Sequence, residues 1–565
     1  MTGQFSRATA RRCTAPGVLT AALVLIGASG CVATPHYSPA TDTKADAAPY
    51  ATYYVGSRGD DENDGSSPGQ AWRSLARAER VALEPGDRLL LQGGARFTGT
   101  ITLGSTEAGR ADRPVVIGSY GEGRATVEAE GSPGISVHNT AGVRIRDLTV
   151  TGDRAAYARD GGINLYADRP GGGKLNRVSV SDVTVSGFQV GIAVGGIEKG
   201  NGFKDVTIRQ AKLHGNKDAG LLTYGPEFEP GQPAYAHEDV DVTGVEAYRN
   251  TGDPAADDRH TGDGIILGAV RHATVRDSSA HDNGSTSATE APSGPVGIWA
   301  YDASDVLLEH NTAYRNHTGS DVDGAGFGFD ENVSDSTIQY NLAFHNDGPG
   351  FYTYTRKTNG AHKDNTIRYN LTSDDGRKLP RFGGLAVYGH DVRNLRIYQN
   401  TVVMTALENG RSGPALRLMD GQTGVTVRNN TFVTDGSPLA LVDRGLTAKN
   451  VLVQGNNYRA PQGQWAVQWG DHAYTGLAAW RTATGQERVD GRPAGLTVDP
   501  CLAGGELPDV DSPGDAHLLA PECDALADKG LDLRKLFGVD PGSVDYFGRP
   551  VGTPPPVGAA LPPAD

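Results

Sequence analysis

Apolar and polar residues alternate in short runs along most of the chain, and turns rich in glycine, aspartate and asparagine separate the runs. Segment 323–350 shows one full unit: a turn, a strand over 326–330, a second turn, a strand over 337–342 and an asparagine-rich third turn. An apolar period of two and frequent glycines indicate strands and exclude a helix. The pattern begins again at Gly350, so the segment is one coil of a repeat.

One inner apolar position of the second strand recurs about every thirty residues. It falls at Ile145, Val180, Ile208, Val242, Val275, Leu308, Ile338, Ile367, Ile397, Val427 and Val453. A near-constant period of this length predicts a solenoid, here one built from strands. A solenoid can reach 565 residues without splitting into domains, because each coil buries its face on the next.

Asparagines follow the second strand in two registers. One register contains Asn311, Asn341, Asn370, Asn400 and Asn430, and the other contains Asn216, Asn250, Asn283, Asn316 and Asn346. Asparagine tolerates left-handed turns and bonds its own backbone, and in stacked coils such side chains form amide ladders. The pattern resembles the right-handed parallel β-helix of the pectate-lyase-like superfamily over about residues 50 to 550. The resemblance implies an all-β fold with an N-terminal helix cap, here segment 72–83, and is typical of secreted carbohydrate-active enzymes.

The segments outside the repeat predict export. Residues 1–31 combine arginines with a short apolar run and end in Ala28-Ser-Gly-Cys31, which resembles a bacterial lipobox and would place a lipid on Cys31. An ordinary signal peptide cut near Ala33 is the alternative. We expect a lipoprotein signal over 1–31, a flexible tether over 32–50, the β-helix over 51–457, its C-terminal closure over 458–549 and a disordered tail over 550–565.

The cysteines support export, and the net charge limits the partners. Cys501 and Cys523 remain in the mature chain and predict a disulfide, with two free thiols as the alternative. The formal net charge of −15 disfavours nucleic acid and anionic membrane surfaces as partners. We expect a monomer on the outer face of the cell membrane, attached only through its lipid, or a secreted protein.

The first strand of each coil carries an aromatic strip. The residue after its leading glycine is apolar and points inward, so the second and fourth residues after the glycine face outward. The outward positions hold Tyr166, Tyr224, Trp299, Tyr301, Tyr352, Tyr354 and Tyr388. Because aromatic rings stack on sugar rings, the strip and the nearby His260 predict a groove for a polysaccharide or oligosaccharide. Loops that cover the strip are the alternative, although Gly195 and Gly268 leave gaps for a substrate or a loop.

Carboxylates lie beside this strip. Asp330 interrupts the aromatic run, Asp302 ends the strand of the preceding coil, and Asp263 begins another first strand. Paired carboxylates suit glycoside hydrolysis, in which one acid protonates the leaving oxygen and the other acts as base or nucleophile. The sequence therefore predicts a glycoside hydrolase that needs no cofactor, with Asp330, Asp302 and Asp263 as its catalytic residues.

Two other functions fit the sequence. The superfamily resemblance also implies a uronate lyase, in which calcium could bind Asp321, Asp323 and Glu331 through oxygen ligands. Arg356 or Lys357 would then serve as the base. The third possibility is a non-catalytic adhesin or glycan-binding scaffold, because a fold does not fix a function.

Overall fold

Each coil of the chain contributes up to three short strands, and nearly all strands pair in parallel with the same strand of the next coil. The computed structural model describes residues 50–107, 109–131, 133–153, 161–229, 231–356, 362–407 and 413–563. They form an all-β solenoid of about twelve turns, which confirms the predicted fold class. The predictions for Cys31, for the segments before Tyr50 and for Lys357 fall outside the described residues.

The first strands of the coils form a 14-stranded sheet, here called the first sheet. Its strands are Ile101–Leu103, Ile135–His138, Gly161–Tyr166, Val190–Gly195, Ala219–Tyr224, Asp263–Gly268, Val296–Tyr301, Ala325–Phe329, Phe351–Thr355, Leu385–Gly389, Leu416–Leu418, Ala440–Val442, Val467–Trp469 and, antiparallel at the end, His472–Tyr474. The residues after the leading glycines, including Ile298, Phe327 and Phe351, point into the main core and are fully buried. The predicted alternation on this sheet is therefore present.

The second and third strands of the coils form a 25-stranded sheet, here called the second sheet. Its second strands are Thr52–Val55, Arg88–Gln92, Val115–Tyr120, Val143–Gly152, Lys174–Ser186, Gly202–Arg209, His237–Thr243, Val270–Arg276, Ser304–Glu309, Thr337–Gln339, Thr366–Arg368, Arg396–Tyr398, Val425–Arg428 and Val451–Gln454. Its third strands are Arg96–Thr98, Ala125–Ala129, Lys212–His214, Glu246–Tyr248, Ser279–His281, Thr312–Tyr314, Leu342–Phe344, Leu371–Ser373, Thr401–Thr405, Thr431–Asp435 and Asn457–Arg459. Val143–Gly152 and Lys174–Ser186 span both positions without a break.

Helices occur only at the two ends of the described chain. They are Leu75–Ala78, Leu477–Thr484 and Leu533–Phe537, with 3₁₀ turns at Pro68–Gln70, Pro513–Leu519 and Asp524–Leu526, and a small hairpin joins Arg488–Val489 to Arg492–Pro493. The helix predicted over 72–83 is a single turn, because the backbone N–H of Trp72 bonds to the carbonyl of Tyr54 and Ser74 caps the helix only at Leu75. Among the described residues, no helix combines the length and the apolar character needed to span a bilayer.

Both asparagine registers form buried ladders. In the first ladder, the side-chain amide of each asparagine donates to Oδ1 of the asparagine on the next coil over 2.9–3.0 Å, from Asn216 through Asn250, Asn283 and Asn316 to Asn346. The amide of Asn346 then donates to Asp375 over 2.7 Å. The second ladder continues from Asn430 through Asn456 to Glu487. Acidic residues thus end both ladders, since a carboxylate oxygen accepts the last amide as an asparagine oxygen would.

A row of rings stacks outside the third strands. His214, Tyr248, His281, Tyr314 and Phe344 lie with successive ring centroids 4.7–5.3 Å apart. Stacking of this kind stabilises neighbouring coils. The row therefore has a structural task.

The C-terminal segment packs against the side of the solenoid, and we call residues 499–563 the strap. Cys501 and Cys523 are joined in a disulfide within it. Its apolar residues Leu502, Val510, Leu519 and Ala559 pack against outer residues of the third strands. The tail expected to be disordered from residue 550 is instead ordered: the Ala559 amide donates to Thr401, and Ala559 is fully buried. Small residues allow this close packing, which composition alone does not reveal.

Candidate functional site

A cavity of about 860 Å³ lies on the outer face of the first sheet. Strands Val296–Tyr301, Ala325–Phe329, Phe351–Thr355 and Leu385–Gly389 form its floor and present alternate side chains to it. Its lining includes His260, Trp299, Tyr301, Asp302, Asp323, Asp330, Glu331, Tyr354, Arg356, Arg381, Phe382, Tyr388, His390, Asp420 and Asp443. Rings and carboxylates therefore face one space, a combination of apolar walls and a few polar groups that is typical of a ligand site.

Asp323 and Asp330 stand at the two ends of the strand Ala325–Phe329, and both line the cavity. Asp323 is 9% exposed and precedes the strand in a left-handed turn, whereas Asp330 follows the strand and is half-buried. The turn bends Asp323 back over the sheet, so one short strand delivers two carboxylates to the same space.

Two stacked tyrosines hold these carboxylates. The Tyr388 hydroxyl donates to Asp323 Oδ1 over 2.9 Å, and the Tyr352 hydroxyl donates to Asp330 Oδ2 over 3.2 Å. The two rings stack with their centroids 5.3 Å apart. The two rings stand on adjacent coils and therefore fix the two acids relative to each other.

The surroundings of the two acids affect their pKa values differently. Burial, followed by the negative charge of Asp323, raises the pKa of Asp330 to about 8. Burial also raises the pKa of Asp323, but the Gly294 amide, the Tyr388 hydroxyl and the positive charge of His260 oppose that rise. Asp330 is therefore the better placed of the two acids to hold a proton at neutral pH.

His260 and Asp263 form an ion pair at the edge of the cavity, with His260 Nδ1 2.7 Å from Asp263 Oδ2. Burial alone would lower the pKa of His260, but the Asp263 carboxylate outweighs it and raises that pKa to about 9. Asp263 is fully buried, and its Oδ1 accepts from the Trp299 indole and the Val296 amide, each over 2.9 Å. Its contacts orient Trp299 and His260 and leave it no direct access to a substrate.

Asp302 lines the same cavity but is tied to other residues. Asn332 donates to its Oδ1 over 2.6 Å, and burial, with the nearby charge of Glu331, raises the pKa of Asp302 to about 6. The charge that contributes most to the pKa of Asp330 comes from Asp323. The charge of Asp323 thus influences Asp330 more strongly than the charge of Asp302 does.

The residues proposed for calcium are dispersed. The Asp321 side chain is 84% exposed and lies 3.6 Å from Arg381, while Glu331 accepts from Arg356 over 2.8 Å and Asp323 is buried. Within the described ranges, no group of three or more His, Cys, Asp or Glu side chains is arranged to hold a metal ion.

The aromatic strip is only partly open. Trp299, Tyr301, Tyr354 and Tyr388 line the cavity, whereas Tyr352 lies fully buried beneath it. Leu379 and Phe382 from the loop before Leu385–Gly389 pack onto the rings. Tyr166 stacks on His138, and Tyr224 packs against this outer cluster. Neither Tyr166 nor Tyr224 lines the cavity.

Glycines on the outer face make room for the tyrosines. A Cβ built on Gly328 would lie 2.0 Å from the ring of Tyr352, and one built on Gly268 would lie 2.3 Å from the ring of Tyr301. Each tyrosine pairs with its glycine on the adjacent strand. The gap expected at Gly268 is therefore filled by a ring of the next coil, and the gap at Gly195 is filled in the same way by Tyr224.

Comparisons with known proteins agree with this architecture. The family model described as right-handed beta helix region matches residues 133–432, and the chain belongs to that family. The chain is similar to a lacto-N-biosidase from Bifidobacterium longum subsp. longum, with 26% identity over 515 residues, 73% of this chain and 31% of the relative. The chain thus spans about a third of that relative's length. The relative agrees with the expectation of a carbohydrate-active enzyme.

Solved structures give similar matches. The GH136 lacto-N-biosidase from Eubacterium ramulus matches with a TM-score of 0.49 and 18% identity, over 66% of this chain and 64% of that one. The pectate lyase Pel9A matches with a TM-score of 0.40 and 16% identity, over 91% of this chain and 96% of that one.

From the sequence, Asp323 is expected only as a calcium ligand. It stands before a glycine in a turn, where aspartate is common for local reasons, and only the fold shows that this turn faces the cavity. The lining residues Arg381 and Phe382 were also missed, because they belong to a loop outside the repeat. A seven-residue spacing of two acids across one first strand, unlike any other coil, is the signal that was available.

Proposed function

We propose that this protein is a glycoside hydrolase in which Asp330 is the general acid and Asp323 is the second catalytic carboxylate. The observation that carries the proposal is the arrangement of these two acids in one aromatic cavity, each hydrogen-bonded by one of two stacked tyrosines. Paired carboxyl groups beside a sugar site are the machinery of most glycosidases.

In this mechanism Asp330 gives its proton to the oxygen of the scissile glycosidic bond. A raised pKa suits that role, because the acid must hold its proton at the working pH. Asp323 remains ionised and stabilises the positive charge that develops at the anomeric carbon. The Tyr388 hydroxyl and the cationic His260 favour the ionised form of Asp323 and oppose the effect of its burial.

The cavity walls bind the sugar on both sides of that bond. Trp299, Tyr301 and Phe382 offer ring faces, and Trp299 is held in place by Asp263. Arg356, Arg381 and His390 add donors for sugar hydroxyls at the rim. The similarity to a lacto-N-biosidase leads us to propose an oligosaccharide that contains a lacto-N-bioside unit as the substrate.

The test uses a lacto-N-bioside with a dinitrophenyl leaving group and a matched oligosaccharide with a sugar leaving group. Asp330→Asn should lose about 10²- to 10⁴-fold in kcat on the oligosaccharide, and much less on the dinitrophenyl glycoside, which needs no protonation. Asp323→Asn should lose activity on both substrates. Asp321→Asn, the exposed neighbour in the same loop, is the matched control and should behave as wild type.

The same assays decide against the proposal if Asp323→Asn and Asp330→Asn remain active. Absorbance from unsaturated uronates on a polyuronate panel, lost on chelation, would establish the lyase instead. Binding of glycans without turnover of any of them would establish the non-catalytic scaffold. Asp302→Asn belongs in the series, and we expect a smaller loss from it than from Asp323→Asn, because Asp302 bonds to Asn332.

We further propose that the protein is exported and anchored through a lipid on Cys31. The supporting observation is the lipobox-like Ala28-Ser-Gly-Cys31 after a short apolar run. Cys31→Ser should move the protein from the membrane fraction to the medium or soluble fraction, while Cys13→Ser should not. Membrane retention of Cys31→Ser would contradict the anchor.

A further inference from the structure

A second cavity of about 680 Å³ lies on the second sheet, away from the cavity of the first sheet. Second strands of four coils form its floor, and residues 537–540 of the strap form one wall. Its lining includes Thr337, Thr366, Arg368, Asn394, Arg396, Tyr398, Thr426, Arg428, Phe537 and Asp540. We call this cavity the arginine groove.

Two outward rows of side chains run along the floor of the arginine groove. Strand register places Thr337, Thr366, Arg396 and Thr426 in one row, and Gln339, Arg368, Tyr398, Arg428 and Gln454 in the other. Parallel strands lie about 4.8 Å apart, and the three arginines stand on three successive coils.

The arginines have neutral partners. Arg368 donates to Gln339 Oε1 over 2.8 Å and to the Tyr398 hydroxyl over 3.2 Å. Arg428 donates to Gln454 Oε1 over 2.9 Å, and its guanidinium lies 3.7 Å from the centroid of the Phe537 ring. Neither forms an ion pair with a carboxylate in the part of the chain that the structure describes.

Arg396 stands between them in the adjacent row. Its guanidinium makes no hydrogen bond or ion pair with any described residue, and it is half-buried. The carboxylate of Asp540 at the groove wall pairs with Arg534 instead. Three cations without a counter-charge are unexpected in a chain of net charge −15.

The electrostatics of the groove favour the binding of an anion. Burial, and then the positive charge of Arg396, lower the pKa of Arg428 to about 10. A bound anion would relieve this repulsion. Guanidinium groups match planar or tetrahedral oxyanions through pairs of N–H donors, and the threonine hydroxyls of the floor can donate as well.

We propose that the arginine groove binds an acidic sugar through its carboxylate or sulfate group. The arginines bind the oxyanion, and the aromatic edges of Tyr398 and Phe537 contact the sugar ring. The site stands apart from the cavity on the first sheet and would hold an acidic glycan on the side of the solenoid. It does not depend on the hydrolase proposal, since the two sites share no residue.

The test is calorimetric titration of the Asp330→Asn protein, whose arginine groove is intact, with four probes. The probes are 3′-sialyllactose, galactose 6-sulfate, neutral lactose and sodium sulfate. We expect binding of at least one acidic sugar, no comparable binding of lactose, and weaker binding of sodium sulfate. Arg396→Gln in that protein should weaken acidic-sugar binding at least about tenfold, the loss expected for a charge-assisted contact.

Arg393→Gln is the matched control, because Arg393 lies three residues away but pairs with Asp391. It should bind the acidic sugars as the parent does, and Arg396→Gln in the wild-type background should keep its hydrolytic activity. Unchanged affinity in Arg396→Gln, equal binding of lactose, or no binding of either acidic sugar would overturn the proposal. Equal affinity for sodium sulfate and galactose 6-sulfate would overturn its assignment to a sugar.

Discussion

The hydroxyl of Tyr388 donates a hydrogen bond to Asp323 Oδ1 over 2.9 Å. Hydrogen bonds to the charged form of an acid lower its pKa, so this contact helps Asp323 to stay ionised in a buried position. It also joins coils that are not adjacent in the solenoid, since the strand Phe351–Thr355 lies between the two residues. The contact therefore ties the geometry of the site to the stacking of coils.

Removing this hydroxyl should raise the pKa of Asp323. In Tyr388→Phe we expect kcat/KM to fall about tenfold at neutral pH, and its acidic limb to move to higher pH. Tyr354→Phe is the control, since Tyr354 lines the same cavity but makes no hydrogen bond to Asp323 or Asp330 in the described chain. An unshifted acidic limb in Tyr388→Phe would show that Asp323 does not depend on this bond.

The raised pKa of Asp330 should also make the stability of the folded protein depend on pH. An unfolded aspartate has a pKa near 3.8 and folded Asp330 one of about 8, so only the unfolded state releases this proton as pH rises between these values. The folded state therefore loses stability over that window. The Tm of Asp330→Asn relative to that of wild type should rise from pH 4 to pH 8, and the difference should stay constant above pH 8.

Thermal melts across that pH range check this expectation. Asp321→Asn is the control, because it removes an aspartate of the same loop whose side chain is exposed. A constant difference between Asp330→Asn and wild type would mean that Asp330 titrates as an ordinary carboxyl. In that contradicting case, the kcat/KM of wild type should also show no decline near pH 8.

Adding a single methyl group at Gly328 should reduce both activity and stability. A Cβ at this position would lie 2.0 Å from the Tyr352 ring, so Gly328→Ala must displace the tyrosine that bonds Asp330. We expect activity to fall at least about tenfold and the Tm to fall by several degrees, as for an overpacked core. Gly69→Ala, which meets no atom within 4 Å, should change neither.

The ladders should contribute to stability more than to activity. Asn341 is fully buried and bonds to Asn370 Oδ1, the Leu308 carbonyl and the amide of Asn311. Asn341→Ala leaves these buried groups unpaired, so the free energy of unfolding should fall by about 2–4 kcal/mol. Denaturant titration measures this loss, and the exposed Asn176→Ala should show almost none.

The repeat made most of the fold predictable. A period of two within strands and of about thirty between coils leaves few architectures, and the asparagine positions set the register in which coils stack. The end segments were less predictable, because they do not repeat. The helix around Leu75 shortened to one turn, since Trp72 bonds with the first coil, and the strap became ordered through contacts with residues more than a hundred positions away.

The site could be predicted only in part. Alternation placed Trp299, Tyr301 and Asp330 on the outer face, because direction along a strand follows from sequence. The partner of Asp330 depends on how a turn folds back over the sheet, and the burial of Tyr352 depends on a loop from another coil. Neither feature has a local pattern that sequence alone can reveal.

The strap gives this solenoid a property that repeats alone lack. In a plain solenoid each coil contacts only its neighbours, so ends fray and blocks of coils can open independently. Here one continuous segment packs across third strands from Thr312–Tyr314 to Thr431–Asp435. The coils beneath it are thereby coupled into a single cooperative unit, and the cavity of the first sheet lies on those coils. We therefore expect the C-terminal segment to keep the floor of this cavity rigid, while the N-terminal coils, which the strap does not cover, open more easily.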